Sequence, residues 1–283
     1  MTKAFETVIE KTFFVFALAS AGVVILIFGF MLALGFPLIK GGLFFGLLTR
    51  DWSPYHGVFG IYPMIVGTLA IALLSVILAF PLSLGCASFI SVLAPPKFAG
   101  FLRKVVQMMT GIPTVVFGFV GIFLLIPIVR EVFESGGMCI LTAVIMLTLL
   151  ISPTMILIFT ESFEQVPKSY TDAVEALGGT RVQKLLYMIL PCSRKGILTG
   201  VMLALGRAFG DTLIALMLAG NAVQTPGSLL DSARTLTAHI ALVIAADYES
   251  LEFKSIFACG ITLYLFTTVL MLMLRASDRR EKP

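Results

Sequence analysis

The sequence predicts an all-α polytopic membrane protein with six spanning helices. Three observations carry that expectation. Of 283 residues, 58% are hydrophobic and only 13% charged, against roughly 25% charged in soluble domains. Six stretches supply the roughly 20 apolar residues that a helix needs to cross hydrocarbon. The 20 Lys and Arg residues are also unevenly placed: fourteen lie in loops on the N-terminal side, five (Lys40, Arg50, Arg130, Arg234 and Lys254) on the other, and Arg207 within a span. Cations collect on the cytoplasmic side, so both termini are expected there, in a bacterial inner membrane.

The first span is expected over residues 12–34. Its uncharged run continues to Phe36, beyond a signal-peptide core of about 7–15 residues, and no small-residue cleavage site ends it. An external stretch, 37–60, contains Trp52-Ser53-Pro54. Trp favours the membrane interface, so Trp52 is expected to anchor there. The second span, 62–93, is long enough to tilt. A short basic cytoplasmic loop opens at 94–96. The third span, 105–129, holds Gly111-Ile112-Pro113-Thr114, then Gly118 and Gly121. Those residues permit two readings: kinking and close helix packing, or a backbone segment lining a pathway with Thr114 on it. Pro81, Pro127 and Pro153 punctuate other spans, and each removes a backbone donor.

The fourth span is expected over 138–160 and the fifth over 196–219. Between them, 161–193 is polar and cytoplasmic, with a short helical pattern from Arg181 that Pro191 should stop. The long external segment 221–253 includes 235–246, uncharged but too short to cross, which suits a re-entrant or surface-lying helix. The sixth span is expected over 255–274. The chain thus divides into an N-terminal helix and external loop (1–60), a membrane domain (61–275) and a cytoplasmic tail (276–283). Cys86, Cys139, Cys192 and Cys259 are too dispersed for a metal or disulfide framework. His56 and His239 lie in external segments and make no zinc motif. No metal site and no catalytic residue is expected.

Arg207 and Asp211 stand out. Four apart in an uninterrupted helix, they would share one face. Each costs roughly 2.5–3.5 kcal/mol at the centre of a span, so they should face the bundle interior. Either they neutralise each other as a structural pair, or Arg207 is a fixed cation on a substrate path and Asp211 tunes it. Gly206 and Gly210 beside them leave room for a ligand or another helix. A guanidinium binds carboxylate or phosphate oxygens through paired hydrogen bonds, so an anionic substrate suits the first charge better than a cationic one.

The stretch Asp172-Ala173-Val174, then Gly178, then Met188-Ile189-Leu190-Pro191 resembles the EAA loop of ABC importer permeases. It departs mildly at Asp172, Val174 and Met188, while Gly178, Leu190 and Pro191 keep their spacing. Trp52-Ser53-Pro54, Gly67-Thr68, the Gly111–Gly118 segment, Gly206-Arg207-Ala208-Phe209-Gly210-Asp211-Thr212 and Gly220-Asn221 are together similar to phosphate permeases of the PstC type, with Asp211 where that family has Glu. The resemblance runs from about Trp52 to Arg275.

It implies a type I ABC importer permease fold. It also implies that Asp172, Ala173, Val174, Glu175 and Gly178 couple the chain to an ATPase, and that Arg207, Asp211, Thr114 and Asn221 lie on the substrate path. The implied partners are a second permease (PstA type), two copies of an ATP-binding subunit (PstB type) and a periplasmic phosphate-binding protein (PstS type), within membrane lipid and without nucleic acid. The chain has no Gly-x-x-x-x-Gly-Lys-Ser/Thr loop. ATP and Mg are therefore expected on the partner ATPase, with no cofactor on this chain and no enzymatic activity of its own. The alternatives are a permease for molybdate or sulfate, the sister PstA-type subunit, a secondary transporter or channel, and an intramembrane enzyme. The last has little support, since no second intramembrane Asp completes a dyad.

Overall fold

The computed structural model describes residues 3–40, 43–247 and 250–279. The tail expected over 276–283 lies outside the described residues from 280 onward.

Among the described residues the fold is helical apart from one two-residue hairpin. Helix α1 (Lys3–Lys40) leads through α2 (Leu43–Thr49) to the hairpin β1 (Trp52–Ser53) and β2 (Val58–Phe59). Then follow α3 (Tyr62–Ser88), α4 (Pro96–Thr110), α5 (Thr114–Val120), α6 (Ile126–Phe133) and α7 (Ile140–Glu164). A helical hairpin, α8 (Lys168–Ala176) and α9 (Arg181–Lys184), leads through α10 (Leu190–Cys192) to α11 (Arg194–Gly210). Helices α12 (Leu213–Leu218), α13 (Leu236–Val243) and α14 (Leu251–Arg279) complete the chain. Wide π-helical turns follow α3, α5 and α9.

Five helical stretches are long and apolar enough to span, and a sixth if Arg181–Cys192 and Arg194–Gly210, bent by 70°, count as one. Helix α7 is the centre, with most of its length buried. Apolar burial does little to hold helices together in lipid, so hydroxyls and small residues must help. Ser75 of α3 donates to the Val144 carbonyl (3.2 Å), and Thr148 of α7 donates back to the Ser75 carbonyl (3.2 Å). Two turns along, Ser83 donates to the Ser152 carbonyl. Gly200 of α11 closes on Phe159 of α7, where a Cβ would come within 2.6 Å of the ring. Helix α1 is mostly exposed and touches α14 near its C-terminal end through small residues and rings. Gly35 faces Ile261, Gly260 faces Met31, and the Phe28 and Tyr264 rings stack at 4.3 Å.

The third span starts later than expected. Residues 105–110 belong to α4, a separate amphipathic helix, and the span runs Thr114–Phe133. Pro113 supplies the reason: it drives Ile112 out of the helical region and donates no hydrogen bond. The glycines after it serve packing, since Gly118 abuts Met217 and Gly121 abuts Leu218, both of α12. Pro191 does not stop its helix either. It sits in the first turn of α10, where its missing N–H is harmless, and the chain bends at Ser193 instead.

The external elements form a second core. Trp52 is buried, with its ring edge-on to Phe59 (5.3 Å) and His239 (4.4 Å). It is thus a core residue rather than the expected interfacial anchor. Helix α13 is the short segment expected over 235–246. It docks on α3 where the Leu236 N–H donates to Thr68 Oγ1 (2.9 Å) and the Arg234 carbonyl lies against Gly67.

A Cβ at Gly67 would stand 2.5 Å from that carbonyl oxygen, and backbone cannot yield as a side-chain tip can. Gly67→Val is expected to loosen α13 from α3 while α7 and α11 stay packed. Proteolysis of the external segment in the intact membrane protein should accelerate, and an unchanged cleavage rate would contradict the docking.

Candidate functional site

The site is built where the fifth span breaks. Helix α11 rises 17 residues from Arg194. At about 1.5 Å per residue, Arg207 lies roughly 20 Å along it, well within a hydrocarbon core of about 30 Å. The helix ends at Gly210, and Asp211 is extended (φ −71°, ψ 127°). The expected shared helical face for Arg207 and Asp211 is therefore absent. Among the described residues no salt bridge joins them. Arg207 Nη1 instead donates to Thr154 Oγ1 of α7 at 2.9 Å.

Asp211 has a different task. Its Oδ2 accepts from the Ile214 N–H (2.9 Å) and more weakly from Ala215 (3.4 Å), capping the start of α12. Its carbonyl accepts from Thr237 Oγ1 of α13 at 2.8 Å. A broken helix exposes backbone groups that lipid cannot satisfy. The side chain and Thr237 supply the missing partners. Gly206 and Gly210 border open space, since a Cβ at either meets nothing within 4 Å. Arg207 is thus a half-buried cation with one neutral hydroxyl partner, beside room. Such a group leaves most of its donors available for an anion.

Thr114 opens α5, the helix that packs on α12 through Gly118 and Gly121. Asn221 sits in a tight external turn at φ 60°. Its Nδ2 donates to the Leu216 carbonyl (2.6 Å), and its own carbonyl accepts from Arg234 Nε (3.1 Å). Both residues flank the break, yet no hydrogen bond among the described residues joins Thr114, Arg207, Asp211 and Asn221 to one another. Behind Asn221, His239 is buried between Arg234 Nη1 (3.5 Å) and Ser255 Oγ (3.1 Å). Ser255 already donates to the Glu252 carbonyl. His239 Nε2 therefore carries the proton and Nδ1 accepts from Arg234. Burial, reinforced by the Arg234 charge, pushes the imidazole pKa down from 6.5 to about 3.

The predicted coupling residues form a compact hairpin away from the break. Asp172, Ala173, Val174 and Glu175 lie on α8, all exposed except half-buried Val174. The helix closes with Gly178 N–H to the Glu175 carbonyl and Gly179 N–H to the Val174 carbonyl. Gly178 takes φ 76°, a left-handed conformation that glycine adopts freely. Thr180 and Gln183 then form a reciprocal cap for α9. Lys184 pairs with Glu175 and holds its carboxyl below the usual carboxylate range. Leu177 projects from the turn, 90% exposed, with Tyr170 and Tyr187 also exposed.

Residues 79–283 match the family of binding-protein-dependent transport system inner membrane components. The chain belongs to that family. It is 32% identical to the probable ABC transporter permease protein YqgH of Bacillus subtilis (strain 168), over 83% of this chain and 78% of that one. It is 29% identical to the phosphate transport system permease protein PstC of Pasteurella multocida (strain Pm70), over 80% and 76% of the two chains. The fold matches a chain of a bacterial ABC transporter involved in the import of the acidic polysaccharide alginate, with TM-score 0.64 and 14% identity, over 99% of this chain and 100% of that one. It also matches the MetNI methionine ABC transporter, with TM-score 0.61 and 16% identity over 77% and 94% of the chains. These likenesses establish the type I ABC importer permease fold and a multi-pass membrane permease.

Sequence reasoning missed Thr154, Thr237 and the Arg234–His239 contact. Thr154 had a signal, a polar residue beside a mid-span proline. Thr237 and His239 had none, because their partners are remote in sequence. The capping geometry sets an expectation for Asp211. Asp211→Asn keeps an acceptor oxygen and should retain assembly, whereas Asp211→Ala should lose about 1 kcal/mol of local stability. Thermal melting of both variants in detergent checks this; equal losses would favour an electrostatic role. For His239, the unfolded imidazole protonates below 6.5 while the folded one stays neutral to about 3. Stability of the external segment should therefore be flat above pH 6.5 and fall as pH drops below it. His239→Gln should flatten that fall in melting curves.

Proposed function

We propose that this chain is a permease subunit of an ATP-driven importer and forms part of the translocation path for inorganic phosphate. The observation that carries the reading is Arg207, a cation at bilayer depth, held by Thr154 and bordered by open space at Gly206 and Gly210. The similarity to PstC proteins over most of the chain supports phosphate as the anion. An Arg that makes no salt bridge among the described residues offers a dehydrating tetrahedral oxyanion paired, charge-assisted donors. Thr154 keeps the guanidinium aimed without cancelling its charge. The large clefts near the lipid-facing surface, such as one of about 420 Å³ lined by Leu69, Leu205, Phe209 and Phe266, are apolar and suit no anion.

ATP hydrolysis falls to a separate subunit in this reading, with Mg bound there. A second permease and an external phosphate-binding protein complete the complex. The α8–α9 hairpin docks on the ATPase through Leu177 and α8, and Gly178 allows its turn. The fourteen-to-five cation bias places the hairpin and both termini in the cytoplasm.

Initial uptake of radiolabelled phosphate in cells with quantified membrane complex tests the path. Arg207→Ala is expected to lower uptake at least about 100-fold, from the loss of two charge-assisted bonds. Arg207→Lys should rescue incompletely. Normal uptake in Arg207→Ala would move the path elsewhere, and competition by molybdate or sulfate as strong as by phosphate would reassign the substrate. Gly178→Val forces a branched residue into a left-handed conformation, at a cost of about 1–2 kcal/mol. It should leave the complex assembled while transport per ATP hydrolysed falls. A labelling reagent that cannot cross the membrane should reach a cysteine at Ser228 but not one at Gln183; the reverse pattern would invert the topology.

A further inference from the structure

Helix α4 connects the ends of two spans without crossing the membrane. It carries Lys97, Arg103 and Lys104 in 15 residues, too short and too charged to span. Its apolar residues fall on two faces. Ala99, Leu102 and Val106 pack against the main core. Phe98, Phe101, Val105 and Met108 follow each other at three- and four-residue spacing, so they form a second stripe. That stripe is uncovered, with Phe101 60% and Met108 75% exposed.

Its surroundings indicate what covers it. The Phe89 ring at the end of α3 meets Phe98 edge-on at 6.2 Å, and Phe98 stacks on Phe101 at 6.4 Å. Leu73, Ile77, Leu82 and Phe89 are exposed along α3, so the lipid-facing surface of that span turns the corner onto α4 without interruption. Lys97 and Lys104 are seven apart, hence on one side, next to the uncovered stripe. Both are exposed and have no ion-pair partner among the described residues. Arg103, on another side, is tied by two hydrogen bonds to Glu164 of α7 (2.7 and 2.9 Å). That clamp fixes the roll of α4 about its axis. An apolar stripe flanked by free lysines is the pattern of a helix lying in the plane of the interface.

We propose that α4 is an interfacial helix that binds anionic phospholipid. Phe98, Phe101, Val105 and Met108 enter the acyl region, Lys97 and Lys104 hold phosphate headgroups, and the Arg103–Glu164 clamp sets the orientation. The assignment depends on neither the transported substrate nor the side of the membrane.

The test uses the full-length chain with its co-purifying subunits in nanodiscs. Phe101→Trp adds a reporter to the single native Trp52, which is buried and gives the baseline. Acyl-brominated phosphatidylglycerol should quench the added fluorescence. A comparator, Tyr55→Trp at a fully exposed external position, should be quenched far less. Lys97→Gln/Lys104→Gln should weaken retention of phosphatidylglycerol over phosphatidylcholine by about 10–30-fold, while Lys97→Arg/Lys104→Arg retains it. Unquenched Phe101→Trp, or a cysteine at Met108 that crosslinks to a second permease, would show that protein covers the stripe and overturn the proposal. Unchanged lipid preference in the Gln variant, with the complex intact, would overturn the headgroup assignment.

Discussion

Backbone that is not helical at bilayer depth must find partners within the protein, because lipid offers none. The break at Asp211 is where this constraint acts, and much of the surrounding structure answers it. Asp211 caps α12 with its carboxylate and passes its carbonyl to Thr237. Thr237 can reach only because α13 is docked on α3, through Leu236 N–H to Thr68 and the close approach at Gly67. Helix α13 is held in turn by the buried contact of His239 with Ser255 at the start of α14 and with Trp52 from the hairpin. Removing the helix here creates the space beside Arg207, and the external elements make that removal tolerable.

Most of the architecture was legible in composition and hydropathy, because a membrane requires long apolar runs and leaves little choice about them. The errors fell where a local exception overrides the apolar pattern. Residues 105–110 are apolar enough to extend a span, yet Pro113 separates them as α4. The run from 196 to 219 reads as one helix carrying Arg207 and Asp211, and two charges do not by themselves mark a break in the backbone. The four-residue spacing of Arg207 and Asp211 suggested a pair, but that inference holds only while the helix is continuous. Once Asp211 leaves the helix, the same two residues point to different partners. Thr154 stands beside Pro153, which is a weak signal, but its partner was hidden: a hydroxyl mid-span looks alike whether it bonds its own helix or another, and Thr237 gave no signal at all.

The hydroxyls and glycines divide the work between them. The hydroxyls of Ser75, Ser83 and Thr148 tie α3 to α7, where apolar contact alone gains little over lipid contact. Gly118, Gly121 and Gly200 let α5 and α11 approach their neighbours closely. Gly206 and Gly210 have nothing near them, and that contrast is informative. A glycine in a membrane helix with no close neighbour is not explained by packing. On α11 these two lie beside Arg207, which links their lack of a side chain to the space next to the guanidinium.

Helix α11 also joins the two functional regions physically. Its first turn is fastened to the C-terminal end of α7, where Ser193 donates to the Ser162 carbonyl and the chain bends by 70° out of the α9–α10 segment. Its last turn carries Arg207. Continuous backbone hydrogen bonds make such a helix stiff over its length of about 25 Å. A tilt imposed at the hairpin would therefore reach Arg207 undiminished, whereas α12 beyond the break is free to stay with α5 and α13. The Arg207–Thr154 bond lies across that division, with its donor on the rod and its acceptor on the central helix. Sliding α11 along α7 by a fraction of a turn would exchange Thr154 for a different neighbour and alter how the guanidinium faces the open space.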